Sequence, residues 1–263
     1  MISASRHRRV FLPVLAALVG LAWLTLWAWA HGPQARWLDH GDWTAAGPAA
    51  FLCSIVPGGD LIVPAALSGA AWILMTTAMM LPTTLPLFDA FDRLAATRSD
   101  HWRLMALLGL GYMSAWGAFG LLAHALHALL MAGVERAPAL AWHGWAIGAA
   151  TIALAGAFQF SRLKYRCLEK CRAPLGFVIE HWRGRRQGLQ AYALGAHHGL
   201  FCVGCCWALM LLMFVVGAGN IGWMLLLAAL MAIEKNFAWG RRLSTPLGVA
   251  LLGWAGWLVG SNV

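Results

Sequence analysis

Charge is what this sequence has least of. Only 11% of its 263 residues are Asp, Glu, Lys or Arg, against about 25% in a soluble globular domain, and the shortfall predicts a membrane protein. Catalytic signatures are also missing. No Ser-His-Asp arrangement, phosphate-cradling glycine loop or nucleotide motif stands out, so nothing points to a hydrolase or an ATPase. Quinone and flavin motifs are unrecognisable. The cysteines follow no standard zinc-finger spacing. Without an ATPase domain, any movement of a metal would be driven by gradients or by handoff.

What is there is apolar. The chain is 61% hydrophobic, with a mean hydropathy of +0.68, 16 tryptophans suited to an interfacial belt and 29 glycines suited to close helix packing. Seven runs are long enough to cross about 30 Å of hydrocarbon as helices: 11–30, 67–88, 104–131, 140–160, 198–217, 221–239 and 244–262. An all-α polytopic transmembrane bundle follows, its fifth and sixth spans forming a hairpin across the turn Gly217–Asn220. Residues 1–66 form an anchor helix and an outer loop. Residues 67–263 form the main helical domain, with a basic inner loop at about 161–197.

The net charge of +9 sits in short segments between apolar runs, which signals topology and not nucleic-acid binding. With the N-terminus inside, all 19 Lys and Arg residues except Arg36 and Arg136 fall on the inner side. This bias predicts an inner-membrane protein with a cytoplasmic N-terminus and an outer C-terminus. The stretch PLGFVIEHWRGRR reads as an amphipathic piece on the inner surface, facing anionic headgroups.

Chemistry concentrates in GAHHGLFCVGCCWALMLLMFVVG, residues 195–217. At about 100° per residue, His198, Cys202, Cys205, Cys206, Met210 and Met213 share one helical stripe. Cys167 and Cys171, four apart, occupy the inner loop among Lys164, Arg166, Lys170 and Arg172, cations that favour thiolate. Five of six cysteines thus face the reducing side, where thiols are metal ligands or redox groups. Only Cys53 lies in an outer segment. Buried cysteine acting as a small apolar filler explains one or two of these residues, not five on one side with His198 in register.

Further candidates surround this core. Met75 and Met79 share a helix face and Met80 follows, just before Pro82 and Pro86, which should kink the second span near its inner end. Thr83 or Thr84 is positioned to satisfy the freed carbonyls. His124, His127 and Met131 lie on one face near the outer end of the third span, with His143 opening the fourth. Glu234 marks the inner mouth. Asp89 and Asp92 solvate the inner boundary or pair with Arg93. Gly144/Gly148 and Gly256/Gly260 have the small-xxx-small spacing of close helix contacts.

At WILMTTAMMLP, GAFQFSRLKYRCLEKCRAPL, HHGLFCVGCCWALMLLMFVVGAGNIGWM and IEKN the chain resembles a bacterial family of unknown function, described as predicted metal-binding integral membrane proteins. Some of its members are named copper chaperones. The resemblance covers about 67–250, and C-x-x-C-C-W-x-L-M is its most specific element. It implies metal handling by a multi-span helical protein and points to Met79, Met80, Cys167, Cys171, Cys202, Cys205, Cys206 and Glu234. Where relatives read G-V-M-N-L, this chain has GAGNI, so one thioether is missing at the outer turn.

Thiolate, thioether and imidazole suit Cu(I), or zinc. The leading expectation is a non-enzymatic protein that binds Cu(I) through cytoplasmic-side cysteines. It would deliver the ion to a partner protein or move it across the bilayer, with the histidines as an outer station. The runner-up is a membrane thiol-disulfide oxidoreductase. A third reading has zinc clamping the inner loop to the fifth helix. A homo-oligomer is compatible with all three.

Overall fold

The computed structural model describes residues 2–33, 35, 62–96, 98–136, 143–183, 186–217 and 219–263. The expectations for most of the outer loop, including Cys53 and His40, lie outside these residues. Every regular element described is helical: α1 (Ile2–Ala30), α2 (Ile62–Met79), α3 (Leu85–Ala95), α4 (His101–Arg136), α5 (Gly144–Phe158), α6 (Arg162–Arg172), α7 (Pro174–His181), α8 (Gln187–Val216), α9 (Ile221–Asn236) and α10 (Ser244–Asn262). Short 3-10 turns at Pro82–Thr84 and Gly240–Leu243 join α2 to α3 and α9 to α10.

Four stretches are long and apolar enough to cross a membrane: Val10–Ala30, His101–Val134, Gln187–Val216 and Gly240–Asn262. Two bent pairs raise the number to six. Ala66–Met79 with Pro82–Ala95 turns by 46°, and Gly144–Phe158 with Arg162–Arg172 turns by 62°. The sequence suggests seven. The difference is α9, whose 16 residues reach about 24 Å at 1.5 Å each.

The first bend forms as the sequence predicts. Pro82 and Pro86 cannot donate to the helical ladder, and the threonines take over the exposed carbonyls. Thr83 Oγ1 donates to Met80 O at 2.7 Å, and Thr84 Oγ1 donates to Leu81 O at 2.7 Å. The second bend comes where Ser161 caps α6, its side chain accepting from Lys164 N.

The interior is built around the pair α4 and α8. Gly111, Gly195 and Gly199 bring the two backbones together: a Cβ on Gly195 would lie 2.0 Å from Leu108 O, and one on Gly111 2.0 Å from Tyr192 O. A second close crossing joins α5 to α10 through Gly156 and Gly248. Gly256 and Gly260, expected at such a contact, instead face open space, because α10 turns its other side to the bundle. Gly144 and Gly148 are buried.

Residues 161–197, expected as a basic inner loop, are largely helical where described, in α6, α7 and the start of α8. Its amphipathic piece α7 buries Phe177 and Val178 and stands against α3 and α8, with the Trp182 ring 5.1 Å from Phe91. Leu175 and Ile179 stay exposed. Near α3 and α4, Arg98 donates to Asp100 at 2.8 Å and to Gln187. That bond to Arg98 holds the Asp100 carboxyl below the ordinary carboxylate range. Asp92, expected near the surface, is buried 2.7 Å from His101, while Asp89 pairs with Arg93.

Candidate metal centre

A helix that places Cys202, Cys205 and Cys206 on its packed side buries all three, each 1% exposed, together with His198, Met210 and Met213. The second cysteine pair arrives from α6, which lies along α8. Gly204 permits the approach, since a Cβ there would stand 2.6 Å from Cys167 Sγ. Cys171 Sγ comes within 3.9 Å of Cys205 Sγ, and Cys205 Sγ lies 3.2 Å from Cys206 Sγ. Cys205 Sγ also donates to Cys202 O at 3.1 Å. All five described cysteines are free thiols; Cys171 reaches the cysteines of α8 across the two helices, while Cys167 meets α8 at Gly204.

The cation beside these thiols is not one of the four that surround Cys167 and Cys171 in sequence. Lys164 turns inward and donates to both carboxylate oxygens of Glu234, at 2.7 and 2.9 Å, and to Gln159 Oε1. Arg172 reaches Glu234 O and Ala238 O, and Lys170 pairs with Glu180. The cation that reaches the thiols is Lys235, from α9. Its ammonium donates to Cys202 Sγ at 2.8 Å, Thr83 Oγ1 at 3.2 Å and Met80 Sδ at 3.7 Å. An ammonium has three donors, and these three acceptors engage them.

Tyr112, from α4, completes this corner. Its hydroxyl lies 3.0 Å from Cys202 Sγ and 3.4 Å from Met80 O. Met80 therefore joins the cysteines through two intermediaries, and the bend at Pro82 is what turns it toward them. His198 stands close by, its ring centroid 6.4 Å from Tyr112 and 5.5 Å from Phe177. Its Nδ1 is buried with no hydrogen-bond partner among the described residues. A buried imidazole nitrogen without a partner is costly and chemically a free ligand.

Glu234 belongs to a separate network next to this one. Besides Lys164 it receives Ser244 Oγ at 2.7 Å, and Lys164, Glu234, Ser244 and Gln159 are all buried. The network ties the ends of α5, α6, α9 and α10 together.

The remaining candidates are elsewhere. His124 and His127 lie about 18 Å and more beyond Tyr112 along α4, at 1.5 Å per residue. The His127 ring rests 5.4 Å from Phe214, beside an apolar cavity of about 210 Å³ lined by Ile147, Thr151 and Leu211. His124 and Met131 are partly buried there, and His143 is exposed. Met75, Met79, Met210 and Met213 are buried, the latter pair about 12 Å or more past Cys202 on α8. Among the described residues, no three His, Cys, Asp or Glu side chains are arranged to hold one ion.

Sequence reading missed Tyr112 and Lys235 as parts of the site. The signal for Lys235 was present: an ionisable residue ending an apolar run is a functional candidate. For Tyr112 only the rarity of a polar ring within the third apolar run pointed inward.

Fold and site together define an all-helical protein with a buried cluster of free thiols beside a thioether, a phenol and an ammonium. A family model described as copper chaperone, PpoB2, matches residues 69–258. The chain belongs to that family. The match starts in α2 and takes in every side chain of the thiol cluster. No curated protein and no solved structure matches the chain.

Proposed function

We propose that the protein is an integral membrane copper chaperone that takes up Cu(I) at the thiols of α6 and α8 and passes it to a partner protein. The observation that carries this reading is the junction of two helices at Cys171, Cys205 and Cys206, with Cys202 buried one turn earlier on the same face of α8. Soft, polarisable donors fit Cu(I), and a site of few ligands releases an ion more readily than a closed cage. His198 Nδ1, buried and unpartnered, and Met80 are the further donors within the same corner. His124, His127 and Met131 form a second, outer group on this proposal.

The supporting topology has the N-terminus inside a bacterial inner membrane and seven crossings, with α9 as the short one. Residues 1–66 then supply an anchor and outer loop ahead of the metal-handling domain.

The test is metal content and X-ray absorption on anaerobically purified full-length protein after growth with copper. Copper coordinated by sulfur is expected in the parent and lost when Cys202, Cys205 and Cys206 are all replaced by Ser. Zinc with four ligands would turn the reading toward a structural clamp. A metal-free parent that forms a reversible Cys171–Cys205 disulfide, between sulfurs 3.9 Å apart, would replace it with thiol redox chemistry.

A further inference from the structure

We infer that His181 and His197 form a metal entry site on the inner surface, from which the ion passes by way of His198 to the buried thiols. The inference rests on the Cu(I) reading above and adds the step before binding. Cys202, Cys205 and Cys206 are each 1% exposed and His198 is 3% exposed, so an ion from solvent reaches them only through outer side chains. His181 ends α7 and His197 stands on α8, and their ring centroids lie 5.8 Å apart at an interplanar angle of 80°. Two imidazole nitrogens each about 2.0 Å from one ion put the ring centroids roughly 5–6 Å apart, the separation seen for this pair. His181 Nδ1 donates to Phe177 O at 2.9 Å. That bond orients the ring and leaves the lone pair on Nε2, the arrangement in which histidine ligates metals.

His197 is exposed and His181 half-buried, so the pair is open to solvent. The C-terminal carbonyls of α7 favour a cation beside His181. Arg183, exposed two residues further on, keeps the binding weak, and an entry station must release what it holds. Phe177 joins the pair to the thiol corner. Its ring centroid is 4.3 Å from His181 and 5.5 Å from His198. His198 carries the buried, unpartnered Nδ1 and stands 6.4 Å from the ring of Tyr112, whose hydroxyl is 3.0 Å from Cys202 Sγ. Imidazole at the surface, imidazole beyond one aromatic ring and then sulfur make a line along which the ion changes ligands and keeps its oxidation state.

The test follows, by stopped flow, the transfer of Cu(I) from a chromophoric chelator to full-length protein in detergent under argon. His181→Gln combined with His197→Gln should slow uptake by about tenfold or more, the scale on which changes around a metal site act. The copper bound per chain at the end, and its sulfur coordination by X-ray absorption, should equal those of the parent. Because one path serves both directions, release to excess chelator should slow by the same factor. His197→Gln alone, at an exposed position where substitution costs little stability, makes the same comparison if the double variant does not fold. Parent rates in both variants would move the entrance to the half-buried Cys171 and overturn the inference while leaving the Cu(I) reading intact. Less copper bound at the end would make the histidines part of the holding site or of the fold, and would also overturn it. A parent that takes up no Cu(I) removes the Cu(I) reading and the entry site together.

Discussion

Lys164 carries its charge into the interior, 0% exposed, and what makes that tolerable is the set of acceptors it finds. Both Glu234 oxygens and Gln159 engage its ammonium, while Ser244 supplies a further donor to Glu234. Removing one partner of such a pair leaves the other charge buried and alone, at a cost of about 3–5 kcal/mol. Lys164→Met should accordingly lower the thermal unfolding midpoint in detergent sharply. Adding Glu234→Gln should recover part of the loss, because a neutral amide no longer needs a cation. If the double variant is as unstable as the sum of the single ones, the pair is not the source of the cost. Tyr112→Phe is a gentler probe. It removes the hydroxyl beside Cys202 and Met80 and should cost about 1 kcal/mol in unfolding stability, with the helical signal in circular dichroism unchanged.

These two residues also mark where sequence reading stops. A lysine among Arg162, Arg166 and Lys170 reads as one more inner-side charge, because composition says nothing about which rotamer turns inward. The thiols were legible because the cysteines and His198 repeat at helical spacing on one face, and a packed helix buries one face. The partner of Cys202 was not legible: Lys235 is far along the chain, and only the antiparallel return of α9 brings it alongside.

At the scale of elements, glycine does the positioning. Gly111 and Gly195 let α4 and α8 approach until a Cβ on either would sit 2.0 Å from a backbone oxygen of the other helix. Backbone cannot step aside as a side-chain end can, so Gly195→Ala must push the helices apart. Overpacking of this kind costs about 1–3 kcal/mol or more, and it also separates Tyr112 on α4 from Cys202 on α8. The expected outcome is a lower unfolding midpoint and faster alkylation of the thiols. Gly256→Ala and Gly260→Ala, with nothing within 4 Å of a Cβ, should leave the midpoint of the monomer within about 0.5 kcal/mol of the parent. Spacing singled out Gly256 and Gly260 and passed over Gly111 and Gly195; only the side that each helix turns inward separates them. The bend after Met79 was readable because proline and threonine act on the local backbone.

For the whole molecule, helix content and the apolar runs were evident from composition, whereas the number of crossings depends on α9. With 16 residues it falls short of the length by which its neighbours qualify, yet its two ends meet different parts of the bundle. Glu234 and Lys235, at its C-terminal end, contact Lys164, Cys202 and Met80, of which Cys202 stands halfway along α8 and Met80 at the bend between α2 and α3. Trp223, at its N-terminal end, stacks on Trp254 of α10 at 5.3 Å, under two turns from Gly248, where α10 meets Gln159 at the end of α5. Between these contacts α9 rises about 24 Å along its 16 residues. On the proposed topology that rise is the seventh crossing, and α10 leads outward. The basic residues agree even after Lys164 and Lys235 are set aside as buried pairs, since Arg241 and Arg242 still follow α9 directly. A reporter active only outside the cytoplasm should thus be active when fused after Val263 and silent when fused after Arg183. Silence at Val263 would return α9 to a re-entrant segment with six crossings, and activity at Arg183 would place the thiol cluster on the opposite face and remove the cytoplasmic source of its copper.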